Sequence, residues 1–127
     1  MKMYTKELMK RFRDPKHMKE IKDADGIGQV GNSICGDVMK VYIKVKNDKI
    51  VDIGFQTWGC PAAIAASDAM CELAKGKTLK QAEQIKSKDI VKLLGEMPPI
   101  KLHCSVLGMQ TLKKAIEDYK KRKKNGR

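Results

Sequence analysis

From Met39 the chain alternates, and after Asn47-Asp48-Lys49 a second alternation runs to Phe55. Met39, Val41, Ile43 and Val45 share one parity against Lys40, Tyr42, Lys44 and Lys46, and Val51, Ile53 and Phe55 then alternate with Asp52 and Gln56. A period of two is the signature of a half-buried strand, and Asn47-Asp48-Lys49 between the runs supplies a turn, so the segment reads as an antiparallel hairpin. Cross-strand partners must share a face. A three-residue loop centred on Asp48 therefore sets Val45 opposite Val51, Ile43 opposite Ile53 and Val41 opposite Phe55. Carried outward, the register puts Asp37 opposite Gly59 and Gly36 opposite Cys60, which predicts that Cys35, Asp37 and Cys60 converge at the open end of the hairpin.

Helical signals flank this hairpin. Thr5 to Phe12 reads as a short helix stopped by Asp14-Pro15, because the residue before proline is pushed out of the helical region. The polar stretch that follows carries Gly26, Gly28 and Gly31, and it reads as a flexible approach rather than a dinucleotide loop, having no strand before it. Pro61 suits the first position of a helix continuing through Lys75 and ending at Gly76, which makes Cys60 its N-cap. A thiol there faces the positive end of the helix dipole, which favours thiolate. Thr78 and Ser87 read as N-caps of short helices over Leu79 to Lys86 and Lys88 to Leu94, the second closed by Gly95. After Pro98-Pro99 a last helix is expected from about Cys104 to Lys121, burying Val106, Met109, Leu112, Ile116 and Tyr119, with His103 and Cys104 at its entrance.

Bulk properties narrow the function classes. A chain of 127 residues fits one domain, with residues 1–30 partly flexible and 120–127 a basic, frayed tail. No apolar run reaches the roughly 20 residues of a membrane span, and no signal-peptide pattern opens the chain, so a cytoplasmic protein without a membrane partner is expected. A net charge of +12 creates a positive field that attracts anionic partners without naming them. Two Phe, one Trp and three Tyr give few platforms for stacking bases, and charge alone motivates the weakest alternative, a basic nucleic-acid-binding protein.

In a reducing compartment four cysteines are ligands, nucleophiles or small buried hydrophobes rather than disulfides. Cys71 lies seven residues beyond Ile64 on one helical face and reads as core. Cys35 stands two residues before Asp37, Cys60 before Pro61, and Cys104 beside His103. Soft thiolates with a carboxylate and an imidazole nearby suit either zinc or iron with sulfide. The absence of a Cys-x-x-Cys pair argues against a zinc ribbon or a thioredoxin-type redox site. His17, in a charged loop, is expected to be solvated.

Three segments carry a family resemblance: Gly31-Asn32-Ser33-Ile34-Cys35-Gly36-Asp37-Val38-Met39-Lys40, Gly59-Cys60-Pro61-Ala62-Ala63-Ile64-Ala65-Ala66-Ser67, and Pro98-Pro99-Ile100-Lys101-Leu102-His103-Cys104-Ser105. In order and spacing the chain resembles the iron–sulfur cluster scaffolds of the IscU / NifU N-terminal type, from about Tyr4 to Tyr119. The resemblance implies an α+β fold, a three-stranded antiparallel sheet with helices packed on one side. It implies a scaffold rather than an enzyme, on which a [2Fe-2S] cluster is built from Fe2+ and persulfide sulfur and passed to apo-proteins. Cys35, Cys60 and Cys104 would hold the cluster, with Asp37 or His103 as fourth ligand. Cys104 would accept persulfide sulfur from a cysteine desulfurase, Asp37 would keep the cluster labile, and Lys101 would be an auxiliary basic residue. Met97-Pro98-Pro99-Ile100-Lys101 resembles the family's recognition segment for an Hsp70-type chaperone. Two departures stand out: Pro61 replaces the Gly common after the second cysteine, and the Pro15-Lys16-His17-Met18 stretch keeps only part of the family pattern. A zinc-binding sulfur acceptor that regulates a desulfurase without housing a cluster, Zn2+ taking the same ligands, stays open, as do monomer and homodimer.

Overall fold

A computed structural model of the chain describes residues 5–32, 37–58, 61–95 and 102–124, with side chains described for 5–31, 38–58, 63–95 and 106–123. The elements are α1 (Lys6–Arg13), β1 (Gly26–Asn32), β2 (Asp37–Lys46), β3 (Lys49–Thr57), α2 (Pro61–Ala74), α3 (Leu79–Ala82), α4 (Ser87–Leu94) and α5 (Leu102–Lys124). The three strands form one antiparallel sheet in the order β1-β2-β3.

The hairpin turns more tightly than expected. Asn47 and Asp48, at φ 54° and 62°, form a two-residue turn whose left-handed residues match the twist of the strands. Lys46 therefore pairs with Lys49 and Val45 with Ile50, not Val51. Continued unchanged, that register would set Val41 against Gly54 and turn the apolar face of β3 outward. A β-bulge between Lys44 and Val45 shifts the pairing by one residue, which restores Ile43 opposite Ile53 and Val41 opposite Phe55 as expected. Val51 is the extra residue. It is 49% exposed, while Ile50 takes the buried place at 0%.

The glycine-containing stretch expected to be a flexible approach is strand β1 from Gly26 onward. Its glycines serve proximity: a Cβ on Gly28 would lie 2.4 Å from both Ala115 N and Thr111 O, and one on Gly26 would lie 2.3 Å from Ala115 O. α5 thus rests directly on the β1 backbone. The other sheet face carries a small cluster of Tyr42, Ile21 and Ala24 with Ile27 against it. The outer edge of β3 is covered by the preceding chain, where Phe55 N–H donates to His17 O at 3.0 Å.

The main core lies between the sheet and the helices. α2 buries Ala63, Ala65, Ala66, Ala69, Met70, Cys71 and Ala74 fully, and its small side chains let the sheet, α1 and α4 pack closely around it. α3 is shorter than expected and stops at Ala82. Thr78 Oγ1 accepts from Gln81 N–H while Gln81 Oε1 accepts from Thr78 N–H, both at 3.1 Å. Lys86 rather than Ser87 precedes the first turn of α4, and Asp89 Oδ2 accepts from its N–H at 2.9 Å. Gly95, at φ 94°, ends α4 as expected. The buried stripe of α5 is Leu107, Thr111, Leu112, Ala115 and Ile116, whereas Val106 is 37% exposed.

Candidate metal and sulfur site

Three elements that carry candidate site residues run in the same direction. Gly108 of α5 faces Met39 Sδ of β2, Thr111 and Ala115 face Gly28 opposite Val41, and Ala115 and Tyr119 face Gly26 opposite Ile43. α5 therefore runs parallel to β2. α2 does so as well: Ser67 Oγ, midway along it, meets Met39 Sδ at 3.2 Å, and just beyond its C-terminal end Gly76 N–H donates to Ile50 O at 2.8 Å, where Ile50 pairs with Val45. The N-terminal ends of β2, α2 and α5 thus lie at one end of the molecule, away from the Asn47-Asp48 turn.

Met39 is where the three meet. It is fully buried, and Thr57 Oγ1 beside it donates to Val38 O at 2.7 Å. Asp37 is two residues back along β2, about 7 Å of strand. Cys104 is four residues before Gly108, about 6 Å of helix. Cys60 directly precedes Pro61, the first residue of α2.

The backbone places Asp37 as the first residue of β2 paired with Asn32, and His103 and Cys104 in the first turn of α5. Their side chains, and all of Cys35, Cys60, Lys101 and the Met97–Lys101 segment, lie outside the described residues. The predicted pairings of Asp37 with Gly59 and Gly36 with Cys60 fall outside the described residues; the described ladder reaches Met39 opposite Thr57, with Trp58 N–H donating to Val38 O at 3.2 Å. Trp58 is 65% exposed.

The electrostatics of this end favour anions. Two helices begin there, and neither has an acidic residue in its first turn. Helix N-terminal dipoles attract anions such as thiolates. Cys71 is different. Burial, followed by the Asp68 carboxylate, pushes its thiol well above the ordinary range, so it is a neutral core group as expected. Among the described residues no group of three His, Cys, Asp or Glu side chains could hold a metal ion.

Sequence reasoning missed a buried polar cluster beside this end. Arg11 contacts Asp68 and Glu72, both at 2.9 Å, with Glu7 at 2.8 Å from its Nε. Burial opposes the Arg11 cation, but the hydrogen bonds and charges of Glu72 and Asp68 outweigh it and hold the pKa above its ordinary value. His17 is not solvated: its side chain is 13% exposed, its N–H donates to Asp68 Oδ1 at 2.9 Å, and Nδ1 lies 3.2 Å from the same oxygen. One signal was present, the carboxylate of Asp68 between the alanines and Met70-Cys71 of α2, since a charge set among buried apolar neighbours needs a partner.

Residues 3–126 match the family model described as NifU-like N terminal domain. The chain is 47% identical over 125 residues to the iron-sulfur cluster assembly scaffold protein IscU 1 of Archaeoglobus fulgidus, covering 98% of this chain and 80% of that protein. It is 44% identical over 118 residues to the IscU scaffold of Aquifex aeolicus, covering 91% and 75%. A crystal structure from Fervidobacterium islandicum, described as a cluster assembly scaffold for the SUF system, superposes with a TM-score of 0.74 at 25% identity over 90% of this chain and 96% of that one. An N-terminal NifU-like structure from Brucella abortus superposes with the same score at 16% identity, covering 94% and 96%, and bears on the fold alone. The three-stranded antiparallel sheet with helices is thus the expected α+β class. No described helix is long and apolar enough to cross a membrane.

Proposed function

Given that the chain belongs to the NifU-like N-terminal domain family, we propose that it is a scaffold on which an iron–sulfur cluster is assembled and handed to acceptor proteins. The observation that supports this reading is the parallel run of β2, α2 and α5, whose N-terminal ends, the neighbours in sequence of Cys35, Asp37, Cys60 and Cys104, lie toward one end of the molecule.

The cluster is cargo, and the donor set suits it. Three soft thiolates, Cys35, Cys60 and Cys104, bind iron with sulfide, and a hard fourth ligand, Asp37 or His103, holds the [2Fe-2S] unit less firmly than a fourth cysteine would. Weak closure suits a donor. Sulfur enters by attack of the Cys104 thiolate on the outer sulfur of a cysteine desulfurase persulfide. A new S–S bond forms to Cys104, the old one breaks, and its electron pair leaves on the desulfurase thiolate. Ionised Cys104 is the nucleophile, and its place in the first turn of a 23-residue helix lowers the cost of that charge.

Anaerobic reconstitution with ferrous iron, cysteine, a thiol reductant and a cysteine desulfurase tests the reading. The expected product absorbs in the visible and is lost in Cys35→Ala, Cys60→Ala and Cys104→Ala. A protein that takes up only zinc under these conditions overturns it. Asp37→Ala should slow decay of the visible absorbance, and faster decay would remove Asp37 from its assigned role.

A further inference from the structure

We propose that the groove formed by the C-terminal end of α2 with α3 and α4 docks an acidic amphipathic helix of a partner protein. Two adjoining concavities of about 570 and 400 Å³ share Lys77 and Ile85. The floor of the smaller one is aliphatic, with Leu73 from α2, Ile85 from the α3–α4 connection and Leu93 from α4, while the larger is lined by Lys77, Thr78, Lys80, Gln81 and Gln84 around Ile85. Ile90 and Leu94 already commit α4 to the core at 0% exposure, so half-buried Leu93 is left to face the groove. Lys77, Lys80 and Lys92 stand along the rim, all exposed, against one carboxylate, Asp89.

An apolar strip edged by ammonium groups complements a helix that shows leucines at i, i+3, i+4 and i+7 and carboxylates on either side. Among the described lining residues there is no aromatic ring to stack a nucleic-acid base. Its concave shape suits a narrow rod rather than a lipid surface. The groove lies at the opposite end of α2 from Pro61: Leu73 is twelve residues further on, about 18 Å of helix. An occupant can therefore stay bound while a sulfur donor or cluster acceptor engages the other end, which makes the groove a separate docking surface.

The probe is a synthetic, fluorescently labelled peptide of about four helical turns with that leucine spacing and glutamates elsewhere. A control of equal charge carries serine for leucine. Anisotropy gives affinity, and amide chemical shifts give the site. The expected result is binding at least about tenfold tighter than the control, with shifts grouped on residues 73–93. Leu93→Glu, and separately the exposed pair Lys77→Glu/Lys80→Glu, should weaken it by about tenfold or more, with cluster reconstitution unchanged. Equal affinity of the two peptides, shifts grouped on the lysines of α5, or indifference to the Lys77→Glu/Lys80→Glu pair would overturn the proposal. Loss of reconstitution in a folded variant would overturn the separateness of the surface while leaving the scaffold reading intact.

Discussion

At the hairpin end, the sheet is tied to the α2–α3 connection by the main chain: Ile50 N–H donates to Lys77 O at 2.9 Å, Gly76 N–H to Ile50 O at 2.8 Å, and Leu79 N–H to Asp48 O at 2.9 Å. Among the described residues toward the other end, the same sheet meets its helices through side chains, with Met39 packed against Ser67 and Gly108, while Asp68, midway along α2, is bound to Arg11 and His17. Main-chain ties hardly depend on which side chains are present. Side-chain ties can be loosened one residue at a time. If the cluster is held beside the first residues of β2, α2 and α5 as proposed, this division would let the side-chain contacts there be loosened while the hairpin end keeps the sheet in register.

The largest expected effect comes from cutting the side-chain ties. Asp68→Ala leaves Arg11, 8% exposed, without its most buried counter-charge and removes both contacts to His17. A loss of about 3 kcal/mol or more in urea unfolding is expected. Hydrogen exchange should rise in α1 and the first turns of α2 before it rises at Ile50 and Gly76. Equal exchange at both ends would break the distinction. Met39→Ala comes next, at about 2–4 kcal/mol, because it empties the junction of β2, α2 and α5. It should also lower cluster yield in reconstitution; a stable variant with normal yield would show that the junction does not position the site.

Much of this molecule was legible in the chain, unevenly. Period-two alternation fixed the strands and which residues of β2 oppose which of β3 beyond Lys44, because the apolar set must land on one face. The bulge was hidden, since Val51 is as apolar as Ile50 and nothing local says which turns outward. β1 was missed because glycine contributes no periodicity, and its reason for being there, contact with Ala115, is a long-range fact. The exposure of Val106 was missed because the buried face of α5 keeps Leu112 and Ile116 as expected but turns toward Leu107, Thr111 and Ala115, the last two resting on Gly28 of β1. His17 could not be placed because its partner Asp68 is 51 residues away. Cys35, Asp37, Cys60 and Cys104 were singled out by local sequence and the hairpin register, and the family resemblance supplied their roles; the direction of α5, which no spacing in the sequence encodes, is a long-range fact.

The smallest effect belongs to the hairpin end and sharpens the comparison from the other side. Asp48 sits at φ 62°, a left-handed conformation that costs an L-residue more than glycine, and Asn-Gly is the favoured pair for such a turn. Asp48→Gly keeps the main-chain acceptor for Leu79 N–H and gives up only a 3.8 Å surface pairing with Lys123, both partners being largely exposed. A gain of about 0.5 kcal/mol is expected. Thermal unfolding measures it, and reconstitution and the decay of the visible absorbance should stay as in the parent chain. If tightening this turn slowed cluster loss, the two ends would be mechanically coupled through β2, and the hairpin would have to be counted as part of the machinery that lets the cargo go.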